Sequence, residues 1–226
     1  MDKYILLSNK SWHVELIDKL CEKFPEDEWI LIQTEKAFTK EKLSKIKPKK
    51  IFIPHWSSII PKDIHEEFKC IVFHMTDLPY GRGGSPLQNL IIRGHKKTKL
   101  SALRVNDNID AGPIYLKKEL SLKGTATQIF HRASKIIMTM IIEIIEMNKV
   151  PKEQKGTPVV FRRRNSEDSN IKDLKNLEEV FDYIRMLDCE GYPNAFIETS
   201  HFKFHFTKAK IQNNQLIKAN VEIIKK

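Results

Sequence analysis

Short apolar runs alternate with amphipathic stretches along most of the chain. Tyr4–Leu7, Trp29–Gln33, Ile51–Ile53, Cys70–Phe73 and Leu100–Val105 read as buried strands, because each is a brief, β-prone apolar run bounded by polar or turn residues. Ile114–Leu120 mixes apolar and polar positions, as a strand touching solvent would. Between these runs the period changes. Trp12–Phe24 carries Trp12, Leu16 and Leu20 at helical spacing, and Lys40–Ile46, Asp63–Phe68, Pro86–Arg93 and Ala126–Met147 complete a set of helices. Strands alternating with helices predict an α/β fold: a mostly parallel sheet with helices on both faces.

The pattern changes after Val150-Pro151. Lys152–Arg164 is basic and irregular. Leu177–Leu187 is a helix with Val180, Phe181, Ile184 and Leu187 on one face, broken by Gly191-Tyr192-Pro193-Asn194. Ala195–Thr199, Lys203–Thr207 and Val221–Ile224 suggest a small β element. The expected organisation is a catalytic domain over residues 1–150 and a C-terminal α+β extension over residues 151–226.

Composition narrows the class. At 226 residues, 41% hydrophobic and 30% charged, the chain can bury one sizeable core. Met1-Asp2-Lys3 followed by a short strand does not form a signal peptide. Ile136–Ile145 is too short to span a membrane and contains Glu143, so a cytoplasmic protein without membrane partners is expected. Cys21, Cys70 and Cys189 share no close spacing, which argues against a disulfide framework or a zinc site; no metal is expected. The net charge of +10 favours anionic partners.

Candidate chemistry concentrates in Phe73–Pro86. The strand Cys70–Phe73 delivers His74 at its end, followed by Pro79, a cluster of Gly81, Gly83 and Gly84, and a helix with Ser85 as cap and Pro86 at its first position. The strand Leu100–Val105 leads to Asp110. Two strand ends, one bearing a His and one an Asp, would meet over one cleft. A carboxylate beside an imidazole raises its pKa and fixes its orientation, which suits taking a proton from an attacking amine or alcohol. Glycines let backbone approach a substrate, and Arg82 suits phosphate or hydroxyl groups. On the residues alone, a lone His at a strand end such as His74 is more often structural than catalytic, and Asp110 could simply be a turn former. No nucleophile elbow, P-loop, dinucleotide fingerprint or metal cluster is present.

The run His74-Met75-Thr76-Asp77-Leu78-Pro79-Tyr80-Gly81-Arg82-Gly83-Gly84-Ser85-Pro86 resembles the H-x-S-x-L-P-x-x-R-G-x-x-P motif of the folate-dependent formyltransferase family. Asp110-Ala111-Gly112-Pro113-Ile114 is similar to its D-x-G-x-I motif, and Ile53–Pro61 resembles its preceding strand and loop. The resemblance implies a Rossmann-like formyltransferase domain and 10-formyltetrahydrofolate as cofactor. It assigns catalysis to His74 and Asp110, which would handle the amine proton and the tetrahedral oxyanion. Cofactor binding falls to Trp56, Ser58, Ile60, Asn106, Asp107, Asn108 and Ile109, and substrate binding to Tyr80, Arg82, Gly83 and Gly84.

Arg163–Ser169 and Ile184–Leu187 through Tyr192–Phe196 resemble the region after the catalytic domain in the family's sugar N-formyltransferases. The tail after Val150 also looks short for the C-terminal barrel of the tRNA enzymes. The expected acceptor is therefore a nucleotide-linked amino-dideoxy sugar, of the UDP-4-amino-4,6-dideoxy-AltNAc type used for pseudaminic acid, with no nucleic-acid partner. A homodimer is compatible with this reading. The alternatives are a methionyl-tRNA formyltransferase-like enzyme and a catalytically impaired folate- or RNA-binding relative. One position departs from the family: an Asn two residues before the His, which hydrogen-bonds the formyl oxygen, is Val72 here. Thr76, Gln88, His55 or a water would have to replace that donor.

Overall fold

Ile5, Leu6 and Leu7 are fully buried, as are Ile51, Phe52 and Ile53, so these runs lie where a sheet is covered on both faces. The computed structural model describes residues 1–226, which divide into two compact units. The first unit comprises Met1–Gly83, Thr98–Leu120 and His131–Val160. The second comprises Gly84–Lys97, Ser121–Phe130 and Phe161–Lys226.

The first unit is built on β1 (Lys3–Ser8), β2 (Glu28–Ile32), β3 (Lys50–His55), β4 (Cys70–His74), β6 (Lys97–Arg104) and β7 (Ile114–Ser121), in the order β2-β1-β3-β4-β6-β7. Pairing is parallel from β2 through β4. It reverses between β4 and β6, where Ile71 faces Arg104 and His74 faces Ser101. The reversal corrects the expected geometry. The C-terminal end of β6 lies beside the start of β4, so the two strand ends do not coincide at His74. Asp110 reaches His74 because the chain turns back after β6: Gly112 packs against the Arg104 carbonyl, and Arg104 N donates to Pro113 O at 2.9 Å. A Cβ on Gly112 would stand 1.8 Å from that carbonyl oxygen, so only glycine fits there.

Helices α1 (Val14–Lys23), α2 (Lys40–Ile46), the short α3 (Lys62–His65) and most of α5 (Ala126–Glu146) accompany this sheet. Ile5, Leu7, Ile32, Leu43, Ile51, Ile53, Ile64 and Cys70 form one apolar core cluster. Burial pushes the Cys70 thiol up to about 12, so it packs as a neutral hydrophobe. A short strand the sequence does not announce, β5 (Tyr80–Gly83), follows β4. Its neighbour is β8 (Val159–Phe161), whose first amide donates to Pro79 O at 3.2 Å.

The second unit contains α4 (Pro86–Ile92), α6 (Leu177–Arg185) and an antiparallel sheet ordered β11-β10-β9, from β9 (Ala195–Glu198), β10 (Phe202–Asn213) and β11 (Leu216–Lys225). Asn176 caps α6 by accepting from Glu179 N at 2.9 Å. The Arg185 guanidinium donates to Leu122 O and Gly124 O and pairs with Asp182. Ser85 does not cap α4 through its side chain; it sits at φ 49°, and its hydroxyl accepts from Arg164 N at 3.1 Å instead. No helix is long and apolar enough to cross a membrane.

Candidate active site

His74 is the last residue of β4 and is 8% exposed. Its Nε2 lies 2.7 Å from Gly81 O. A carbonyl oxygen only accepts, so Nε2 carries a proton and, in the neutral ring, Nδ1 is the open position. Nδ1 faces Asp110 Oδ2 at 3.5 Å. A proton arriving at Nδ1 would create an imidazolium with an acceptor on each side. The structure thus brings together the two residues assigned to catalysis, in an arrangement suited to receiving a proton.

Asp110 is held from two directions, at its side chain and at its carbonyl. Gly83 N donates to its Oδ2 at 2.9 Å, its backbone stands in the left-handed region at φ 51°, and its carbonyl accepts from Gln154 Nε2 at 2.8 Å. Gln154 also donates to Gly112 O at 2.9 Å and accepts from Arg82 Nε and Nη2 at 3.2 and 2.8 Å. The Arg82 guanidinium therefore has a protein partner of its own. Gly83, besides contacting Asp110, adopts φ 99°, a conformation only glycine takes without strain. Tyr80 is half-buried, and its amide donates to Asp77 O. Gly84 belongs to the second unit, where its amide donates to Phe161 O and a Cβ would collide with Arg163.

The turn after His74 is braced from below. Ser101 Oγ donates to Thr76 O at 2.7 Å and accepts from Leu78 N, while Lys117 and Lys99 pair with Asp77. Partial burial would raise the Asp77 carboxyl, but the two lysines outweigh it and hold the group below its ordinary range.

The segments assigned to the cofactor lie in two loops. Trp56 packs against the core cluster and Ile60 is buried in it, whereas the neighbouring Ile59 is 82% exposed. Ser58 donates to Glu35. In the second loop Asn106 Oδ1 accepts from Asn108 N at 3.1 Å, and Ile109 is 65% exposed. Asp107 pairs with Lys62 Nζ at 3.3 Å and lies 3.8 Å from His65 Nε2, tying the second loop to α3.

Val72 presents no donor and sits in register between Ile53 and Leu103. Of the residues expected to substitute for it, Thr76 donates its hydroxyl to Gly81 O at 3.3 Å, and Gln88, in the second unit, donates to Met186 O at 3.1 Å. His55 ends β3, and burial first, then Lys10, lowers its pKa to about 4, so it is neutral. Gln154 is the residue that sequence reasoning missed. It lies in a stretch read only as basic and irregular, and no short-range pattern links it to Asp110.

The formyl transferase family matches residues 22–144, and the methionyl-tRNA formyltransferase C-terminal domain matches residues 166–224. A solved methionyl-tRNA formyltransferase from Clostridium thermocellum is 48% identical, covers 100% of both chains and superposes with a TM-score of 0.97. The methionyl-tRNA formyltransferase of Thermodesulfovibrio yellowstonii is 30% identical over 64% of this chain and 50% of its own; the chain spans about half the length of such curated relatives. The formyltransferase PseJ of Anoxybacillus kamchatkensis, solved in complex with UDP-4,6-dideoxy-4-formamido-L-AltNAc and tetrahydrofolate, shares the fold at 19% identity over 74% of this chain and 88% of its own, with a TM-score of 0.58.

These findings overturn the expected sugar acceptor and the expected lack of a nucleic-acid partner. That expectation rested on a tail judged too short for a tRNA enzyme. Yet residues 166–224 match the C-terminal domain of those enzymes, and the Clostridium chain has the same extent. The segment from 166 to 196, taken as sugar-specific, thus falls within a match to a tRNA enzyme domain.

Proposed function

The chain belongs to the formyl transferase family, and on that premise we propose that it transfers a formyl group from 10-formyltetrahydrofolate to the amino group of a methionyl-tRNA. The observation that carries the choice of acceptor is the 48% identity to the Clostridium enzyme across the full extent of both chains. The net charge of +10 fits an acceptor with a phosphate backbone.

The residues fit the formyl donor. Two isoleucines, Ile59 and Ile109, are exposed on the loops assigned to the donor, where a flat heterocycle would find apolar cover. Trp56, Ile59 and the 106–110 loop would hold it. When bound, 10-formyltetrahydrofolate supplies the electrophilic formyl carbon.

The chain's own residues then handle the proton. His74 keeps one on Nε2 through Gly81 O and would take the amine proton at Nδ1, then return it to the donor nitrogen as that nitrogen's bond to the formyl carbon breaks. Asp110 orients the ring and balances the resulting charge, and Gly83 N keeps the carboxylate aimed at it. The test is transfer of labelled formyl from 10-formyltetrahydrofolate to methionyl-tRNA, with uncharged tRNA as the control lacking the amine. Absence of label in the aminoacylated tRNA sinks the reading.

A further inference from the structure

We infer that Gln154 is a positioning residue, one that fixes Asp110 against His74 and so sets the proton-accepting geometry; this rests on the function proposed above. Gln154 lies between the two matched segments, residues 22–144 and 166–224, so neither family match reaches it.

Its carboxamide makes every hydrogen bond the group can make. The two Nε2 hydrogens go to Asp110 O at 2.8 Å and Gly112 O at 2.9 Å. The two Oε1 lone pairs receive Arg82 Nε at 3.2 Å and Nη2 at 2.8 Å. A ring results. Arg82 binds Gln154, Gln154 binds the Asp110 backbone, the Asp110 carboxylate accepts from Gly83 N, and Gly83 is covalently joined to Arg82. The same strand β5 supplies Gly81 O, which holds the far side of the His74 ring.

The ring has a clear purpose at Asp110. A non-glycine residue at φ 51° is a strained backbone that persists only when its surroundings hold it. The covering carbonyl bonds come from Gln154. Neighbouring Gly112 cannot shift toward β6, because the Arg104 carbonyl already occupies that space. Without the carboxamide, the 110–112 backbone would be free to relax, and Oδ2 would leave its place opposite Nδ1. Glutamate cannot substitute. It would keep the Arg82 contact but put an acceptor against two carbonyl oxygens.

The test compares Gln154→Ala and Gln154→Glu with the wild-type protein. Both variants should lose about ten- to a hundredfold in kcat for formyl transfer, with KM for the donor and for methionyl-tRNA within about threefold of wild type. In the Asp110→Asn background, Gln154→Ala should remove less than about a further twofold, because its effect runs through Asp110. The second readout needs no turnover: the His74 ring resonances of the unliganded protein, followed by NMR, should shift in both variants. Full kcat with unmoved His74 resonances overturns the inference. So does a loss that multiplies on top of Asp110→Asn, since that would mark Gln154 as merely structural. A wild-type protein that transfers no formyl group would sink the functional reading instead, and the His74 resonances would still decide the role of Gln154.

Discussion

Asp110 Oδ2 accepts the backbone amide of Gly83 at 2.9 Å, so the carboxylate facing His74 is aimed by the glycine-rich strand and not by its own loop alone. The site is thereby a clamp between β5 and the turn after β6. Its two catalytic candidates are adjacent in space because backbone groups from one segment hold side chains from the other.

Charge at Asp110 should matter more than shape. Asp110→Asn keeps an oxygen for Gly83 N, removes the negative charge and puts an amide donor in place of the second acceptor oxygen. We expect kcat to fall by about 10²–10⁴-fold with an almost unchanged melting temperature. His74→Gln, which can still donate to Gly81 O, should fall as far. Formyl transfer within twofold of wild type in either variant would remove these residues from the chemistry.

Ile59 and Ile109 are exposed large apolar side chains at the loops assigned to the folate. Ile59→Ser and Ile109→Ser should leave the melting temperature unchanged, since neither side chain is packed in the core. Each should raise KM for 10-formyltetrahydrofolate by about tenfold, the value of roughly 1.4 kcal/mol of lost apolar cover. Steady-state kinetics at saturating acceptor measures this, and an unaltered KM in both variants would place the heterocycle elsewhere.

Two histidines, the buried His13 and the half-buried His55, should make the fold acid-sensitive. Burial first, then the positive neighbourhood of His55, Lys10 and His131, pushes His13 down to about 3; burial, then Lys10, pushes His55 down to about 4. Both are neutral in the folded protein, and Ser8 Oγ holds His13 Nδ1 at 2.7 Å. In the unfolded chain they titrate near 6.5, so below that pH the unfolded state binds more protons. Stability is therefore full above about pH 6.5 and is lost as the pH falls toward the folded values. Each histidine contributes at most about 1.4 kcal/mol per pH unit. Urea unfolding of wild type and His13→Gln from pH 7 to pH 4 checks this: the variant should have the shallower dependence, and parallel curves would contradict it.

The sheet was legible because its strands are unbroken apolar runs: Tyr4–Leu7, Ile51–Ile53 and Cys70–Phe73 each fall inside an observed strand. Strand direction was not, since nothing local in Leu100–Val105 tells whether it runs with or against β4. β10 and β11 extend well beyond the expected strands because lysines and asparagines interrupt their apolar alternation on exposed positions. β5 was hidden by its glycines, which ordinarily weaken a strand. His74 was readable as a residue type at a strand end, and both it and Asp110 through their motifs. Gln154 was not, because a carboxamide that bonds backbone carbonyls leaves no sequence period. The acceptor was misread because the length of a tail says little about the surface it presents.

The most direct test of the proposed function is a competition. The protein is given 10-formyltetrahydrofolate with methionyl-tRNA and a panel of UDP- and dTDP-linked 4-amino sugars together, and each product is counted. We expect the formyl group on the methionyl-tRNA alone, at a rate that falls steeply with added salt as phosphate contacts are screened. Formyl transfer to an amino sugar with the tRNA left unmodified would contradict the account.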